Sequence, residues 1–244
     1  MKNYKLTIQY DGTNYCGWQI QPNAVTVQQK IVDAIKILLK EDVNLIGSGR
    51  TDTGVHAFGQ VANFRIEKEI DLFRFAYALN SILPDDISIT KIDDVNKDFH
   101  SRFDALSRSY FYLFSEVKSP FYLRFSDDFK KLRKLDLKEL NRISKTLIGE
   151  HDFTSFSRKN DEIKNKVCNV KSIRWHKKGS LVFFNIEANR FLHGMVRTVL
   201  GTLLESAKNN YNTDYLLDVT KKKDRSAAAI SVPAKGLFLY KVKY

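Results

Sequence analysis

The feature that most restricts how this chain can fold is an order of elements that occurs twice. "KLTIQY" (5–10) alternates apolar and polar residues as a strand does. "TVQQKIVDAIKILLK" (26–40) places Val27, Ile31, Ala34, Ile35 and Leu38 at helical spacing behind Thr26, a suitable N-cap. "VNLIGSGR" and "QVANFRI" read as strands flanking a glycine-rich elbow. "DLFRFAYALNSIL" (71–83) is helical, with Asp71 near its start and Pro84 ending it, and "ISITKIDDV" (87–95) returns as a strand. The same sequence of elements follows. "SYFYLFSE" (109–116) is a strand and "DLKELNRISKTLIG" (136–149) a helix closed by Gly149. "VCNVKSIRWHKK" and "SLVFFNIEA" form a hairpin about Gly179. "FLHGMVRTVLGTLLESA" (191–207) is a long helix and "GLFLYKVKY" (236–244) the last strand. Further residues near 212–222 and a loop at 119–133 blur the repeat.

Two β-α-β-β-α-β runs predict an α+β chain of two ferredoxin-like halves with antiparallel sheets, divided as residues 1–105 and 106–244. Two such sheets edge to edge would leave a central cleft with room for a large ligand. A chain of 244 residues is long enough to bury a real core in either half. Its two cysteines, Cys16 and Cys168, make neither a disulfide framework nor a metal site, so a reduced, cytoplasmic setting is expected. "MKNYKLTIQY" reads as a first strand and not as a signal peptide, and no run approaches the roughly 20 apolar residues of a membrane span. The net charge of +12 is uneven: residues 97–178 hold 20 Lys/Arg against 11 Asp/Glu, an excess of +9. A basic middle suits a polyanion such as nucleic acid, although a solvated lysine-rich surface would give the same count.

The elbow "GSGRTDTGVHAFGQVANF" (47–64) carries one acid, Asp52, between Arg50 and His56. Asp-Thr-Gly suggests an aspartic protease, but that chemistry needs two carboxylates sharing a proton, and the triplet occurs once. Arg50 beside it would also keep the acid ionised. An aspartate capping a turn is the plain alternative.

The longer string "GRTDTGVHAFGQVANF" resembles the signature of the TruA family of tRNA pseudouridine synthases, with Asp52 at the catalytic aspartate. "YDGTNYCGWQIQPNAVTVQ" (10–28), "FHSRFDALSRSYFY" (99–112), "GEHDFTSFSR" (149–158), "ANRFLHGMVRTVLG" (188–201) and "PAKGLFLYKV" (233–242) are similar to further blocks of that family, in order. Thr53 stands where Ala is usual, Gly194 where His is frequent, and Ser101 where Ala is usual.

The resemblance implies the pseudouridine synthase fold and an isomerase acting on uridines at tRNA positions 38–40, in the anticodon stem-loop. It implies a homodimer with one tRNA spanning both subunits. It implies catalytic roles for Asp52, Tyr110 and Arg197: the acid at the ribose, the tyrosine stacked on the target base, and the arginine paired with the acid. Breaking C1′–N1, turning the base and joining C1′ to C5 changes no oxidation state, so neither a small-molecule cofactor nor a metal is expected. Asp52 could attack C1′ or remove the C2′ proton. Tyr110 and Tyr112 share one face of a predicted strand, and without the resemblance Tyr110 would read as a core aromatic. Arg197 is a lone cation among Met195, Val196, Val199 and Leu200, which otherwise reads as a snorkelling side chain. Arg50 and Arg102 are candidates for phosphate contacts because guanidinium forks suit them. Phe191 is a candidate for lining the substrate site, whereas His56, His100 and His193 receive no role. The rival is a non-catalytic RNA-binding protein on the same scaffold. It would gain nothing from an acid beside phosphates, and no aromatic RNP signature is present.

Overall fold

The structure, a computed structural model, describes residues 1–128, 135–159 and 163–244. The first half of the chain supplies β1 (Lys2–Tyr10), α1 (Val27–Leu39), β2 (Ile46–Gly47), β3 (His56–Ile66), α2 (Leu72–Ile82) and β4 (Ile87–Val95). The second supplies β5 (Ser107–Ser115), β6 (Asp127–Asp128), α3 (Leu137–Ser144), β7 (Gly149–Asp152), β8 (Val167–Lys178), β9 (Leu181–Ala188), α4 (Met195–Lys208), α5 (Thr213–Lys222) and β10 (Leu237–Lys243). The chain is α+β. Its contacts divide it into one unit of Met1–Leu106 with Phe238–Tyr244, and another of Ser107–Leu237.

In the first unit β1 is central, antiparallel to β3 on one side and to β4 on the other. The outer edge of β3 is shared: β2 pairs with it at Ala62–Asn63, and β10 runs parallel to it at His56–Ala57. The order β4-β1-β3-β2 is the ferredoxin-like one that the element order predicts. Alternation along β1 buries Tyr4, Leu6, Ile8 and Tyr10. Phe64 of β3 meets Phe75 of α2, ring centroids 6.2 Å apart, so both sit on the helix-covered face. Helix α1 adds Val27, Ile31, Ala34 and Ile35. Val27, Ile31 and Ile35 each contribute about 1.5–3 kcal/mol on burial. Both helix starts are capped as their sequences suggest: Thr26 accepts from the Gln29 N–H and Asp71 from the Arg74 N–H.

In the second unit β9 lies between β5 and β8, antiparallel to both, with β7 beyond β8 and β6 parallel to the end of β5. Gly179, at φ +57°, turns the β8–β9 hairpin. The core gathers Tyr112, Phe114, Trp175 and Phe184 under Leu140 and Ile143 of α3 and Leu200 and Leu203 of α4. Asn141 pins α3 to β8, donating to the Trp175 carbonyl and accepting from the Trp175 N–H, both at 2.9 Å.

Three elements depart from the sequence expectation. The strand expected over "VNLIGSGR" is only Ile46–Gly47, because the next residues bond to side chains as well as to the ladder. The Ser48 hydroxyl donates to Gln60 Oε1 at 2.7 Å, and Gln60 Nε2 donates to the Gly49 carbonyl at 2.9 Å. The helix expected from 191 starts at Met195, since Gly194 before it takes the left-handed conformation, φ +74°. The helix expected to close at Gly149 ends at Ser144, and Gly149 (φ +102°) instead opens β7, a short pairing with no periodic signature. Among the described residues no helix is long and apolar enough to cross a membrane.

Candidate active site

Asp52 stands on a tight turn whose backbone is fixed on both sides. The Val55 N–H closes the turn on the Asp52 carbonyl at 3.1 Å. The segment 10–18, which joins β1 to the approach of α1, holds the turn at successive points. The Tyr10 and Thr51 hydroxyls are bonded at 2.8 Å and buried. The Trp18 N–H donates to the Thr51 carbonyl at 3.2 Å, and the Gly54 N–H to the Tyr15 carbonyl at 3.3 Å. The Gly12 N–H donates to His56 Nδ1 at 3.0 Å. Tyr15 is itself anchored, its hydroxyl donating to Asp86 Oδ1 at the start of β4. Burial and that carboxylate push the Tyr15 phenol well above its ordinary range, so it stays a donor. The carboxylate of Asp52 is thus carried, half-buried, on a short side chain from a clamped backbone. That is a geometry suited to presenting an acid in one orientation.

In the second unit, Tyr110 lies on β5 opposite Ile186, 9% exposed, with the Phe191 ring edge-on at 5.1 Å. Tyr112 shares its face, as the strand period requires, but is completely buried and donates to the Pro233 carbonyl at 2.9 Å. Burial, with Asp127 beside it, raises the Tyr112 phenol far above its ordinary value, against the opposing charge of Arg197. Of the two tyrosines, Tyr110 is the one that keeps some exposure.

Arg197 is half-buried near the start of α4 and is no free-swinging cation. Its Nε donates to the Val232 carbonyl at 2.7 Å, and its own carbonyl accepts from the Val232 N–H at 3.2 Å. Residues 229–232 run along α4 and repeat the contact. The Thr198 and Ser231 hydroxyls are bonded at 2.8 Å, and the Ala229 N–H donates to Thr202 Oγ1 at 3.2 Å. The guanidinium position is therefore set by a strap of backbone, which a lone cation on an apolar stripe does not reveal.

The remaining candidates are at the surface or supporting. Arg50 and Arg102 are exposed, Arg102 lying over the Phe103 ring at 5.4 Å. Phe191 is half-buried against Tyr110. His193 is exposed, and its carbonyl accepts from the Arg158 N–H at 3.0 Å. His100 Nδ1 accepts from the N–H groups of Arg102 and Phe103, which orders that turn. Cys168 is buried, which raises its thiol to about 11 and leaves it unreactive, while Cys16 is exposed. Of the basic middle, Lys138, Lys171, Arg174 and Lys178 are exposed, whereas Lys130, Lys131 and Lys134 lie outside the described residues. Among the described residues no three His, Cys, Asp or Glu side chains gather as a metal ion requires.

Comparison with known proteins decides what kind of chain carries these groups. A family described as tRNA pseudouridine synthase matches residues 6–104 and 143–244. The chain belongs to the tRNA pseudouridine synthase family. It is an isomerase acting on tRNA, and the rival reading of a non-catalytic RNA binder falls away. The tRNA pseudouridine synthase A of Brachyspira hyodysenteriae is 42% identical over 98% of this chain and 96% of its own. That of Parabacteroides distasonis is 42% identical over 100% of this chain and 96% of its own. That of Thermoanaerobacter pseudethanolicus is 40% identical over the whole of both. Asp52, Arg50, Arg102, Phe191 and Arg197 fall within the matched segments of the family, and Tyr110 falls between them.

The three departures from the family pattern have local accommodations. Thr53 is exposed. The Ser101 hydroxyl, fully buried, donates to the Ile46 carbonyl at 2.5 Å, so its polarity is satisfied. Gly194 occupies a left-handed position that a histidine would enter only with strain. Sequence reasoning missed the supporting segment 10–18 as a clamp. Its only signal was the run of Tyr10, Gly12, Tyr15, Gly17 and Trp18, too polar and glycine-rich for a strand or helix.

Proposed function

We propose that Asp52 is the carboxylate that acts at the ribose when this enzyme converts uridine to pseudouridine, and that the uridines lie at positions 38–40 of the tRNA anticodon stem-loop. The observation that carries the proposal is the clamped turn: a half-buried acid is held by backbone bonds on both flanks in a chain related to this family over its full length. The reaction breaks C1′–N1 and forms C1′–C5. The proton on C5 is lost and one is gained at N1, so atoms balance without an electron donor. An ionised carboxylate serves either opening step, attack on C1′ or removal of the C2′ proton.

Tyr110 takes the base: its ring offers a stacking face while the glycosidic bond is open, and whether its hydroxyl also moves the C5 proton is what Tyr110→Phe decides. Phe191, edge-on to that ring, lines the base site. We assign Arg197 the role of the site's cation, its guanidinium fork suited to partner the carboxylate. Arg50 and Arg102, both exposed, take backbone phosphates. The enzyme works in the cytoplasm as a homodimer, with recognition mainly of tRNA shape and backbone.

The test is to incubate the protein with unmodified tRNA and map pseudouridines at single-nucleotide resolution. Wild type should modify only positions 38–40. Asp52→Asn should bind tRNA at least as tightly and form no product, since the amide keeps the shape and loses the base or nucleophile. Substantial product from the variant, or modification elsewhere in the tRNA, would refute the proposal.

A further inference from the structure

His56 has no place in the reaction as derived, yet it is the most enclosed titratable group of the elbow, 1% exposed at the first position of β3. Its ring stacks on Phe238, centroids 4.7 Å apart and 25° between planes. Its Nδ1 faces two groups of the same short segment: the Gly12 N–H at 3.0 Å, and Asp11 Oδ1, also at 3.0 Å. One nitrogen cannot serve both at once. A lone pair on Nδ1 accepts from Gly12, whereas a proton on Nδ1 is donated to Asp11. In either state the same atom ties the Asp11–Gly12 corner to β3. Asp11 is otherwise occupied locally, accepting from the Thr13 N–H at 3.0 Å and the Thr13 hydroxyl at 2.5 Å.

The corner matters because of what it presses against. A Cβ placed on Gly12 would lie 2.0 Å from the Val55 carbonyl oxygen, so the two backbones are already in close approach. Val55 is the residue whose N–H closes the turn on the Asp52 carbonyl. A shift of the Asp11–Gly12 corner therefore passes to Val55 and from there to the turn that carries the acid, with no intervening flexible side chain.

We propose that His56 is a positioning residue for Asp52. Through Nδ1 it locks the Asp11–Gly12 corner against Val55 and so fixes the direction of the carboxylate. The inference rests on the assignment of Asp52 above, and it predicts which replacements work. Asparagine places its amide where Nδ1 stands, offering an oxygen to Gly12 or an N–H to Asp11. Phenylalanine keeps the ring and its stacking on Phe238 but offers neither.

The test compares His56→Phe, His56→Asn and Asp52→Asn in the full chain, by single-turnover pseudouridine formation and by tRNA binding. His56→Phe should lose about 10²-fold in rate, the scale of a 1 Å misplacement. Its tRNA affinity should stay within about threefold, because no tRNA contact is removed. His56→Asn should recover most of that loss. A residue needed only for folding would lower the melting temperature and leave the rate of the folded enzyme alone. If His56→Phe does not fold, His56→Gln, whose amide reaches past the Nδ1 position, takes its place with the same expected loss. A folded His56→Phe or His56→Gln at full rate, with Asp52→Asn inactive, overturns the role of His56 and leaves that of Asp52 standing. So does a folded His56→Asn as slow as His56→Phe. An active Asp52→Asn overturns both assignments.

Discussion

Replacing Gly17 by alanine should damage the chemistry more than the fold. Gly17 is at φ +86°, a conformation that costs an L side chain about 1–2 kcal/mol. A Cβ there would stand 2.4 Å from the Thr51 carbonyl oxygen and 3.2 Å from the Asp52 carbonyl carbon. Ordinary contact begins near 3.4 Å, so the Thr51 carbonyl has to retreat by about 1 Å. That carbonyl accepts the Trp18 N–H and precedes the acid directly, so the retreat displaces the Asp52 turn. For a chain of this size the backbone cost alone lowers Tm by roughly 2–8 °C. A displacement of about 1 Å at a reacting group costs about 10²-fold in rate. Both are read on one preparation: thermal melting for the fold, and release of tritium from 5-tritiated uridine in a tRNA transcript for the loss of the C5 proton. Gly49→Ala is the matched control, because its Cβ would meet nothing within 4 Å. It should melt and react as wild type does. A Gly17→Ala enzyme that melts several degrees lower yet reacts at the wild-type rate would show that the clamp stabilises the unit without directing the acid.

Tyr110→Phe should bind tRNA normally and retain most activity if the ring only stacks. If the hydroxyl also moves the C5 proton, it should stall before product, and in either case Tyr110→Ala should be inactive. Wild-type turnover by Tyr110→Ala would remove the residue from the site. Arg197→Met should bind tRNA yet be nearly inactive, because it removes the guanidinium and leaves the α4 backbone and its strap in place. Arg197→Lys should be impaired for lack of the planar fork, and a folded Met variant at the wild-type rate would reduce the arginine to its bond with Val232. If the basic middle contacts phosphates, tRNA affinity should fall with salt by a log–log slope of order −0.7 per single-strand contact. Reversing the exposed Lys138, Lys171, Arg174 and Lys178 should flatten that slope, and no change would mark this surface as solvated only.

The parts of the fold that were legible in the sequence are those with a long period. Helix α1 runs from Val27 to Leu39 behind the Thr26 cap because its apolar stripe and cap agree. The β8–β9 hairpin turns at Gly179 because alternation on both sides leaves one place for it. What the sequence obscured were backbone decisions made by side chains. "VNLIGSGR" has the composition of a strand, but Ser48 and Gln60 divert it after two residues. Phe191, Leu192 and His193 match the helical stripe of α4 and still lie outside it, because a single left-handed glycine moves the start to Met195. The candidate site divides in the same way. Asp52, Tyr110 and Arg197 were reached only through a resemblance. By composition alone they are a turn aspartate, a sheet aromatic and a snorkelling arginine.

The glycine-rich elbow has a physical explanation that composition does not suggest. Glycine in a loop is usually taken as freedom, yet at Gly12 and Gly17 its absence of a side chain lets one backbone press against another. The result is a turn with little freedom left. An aspartate has a short side chain, so the direction of its carboxylate is largely the direction of its backbone. A long acid on a regular helix would need packing around its stem to achieve the same aim. Here the neighbouring segment does that work through main-chain bonds from Gly54 and Trp18, and the hydroxyl pair of Tyr10 and Thr51. Orientation obtained this way is paid for during folding and not at each turnover. It follows that substitutions along residues 10–18, none of them an acid or base for the reaction, should lower the rate at saturating tRNA while leaving affinity nearly unchanged.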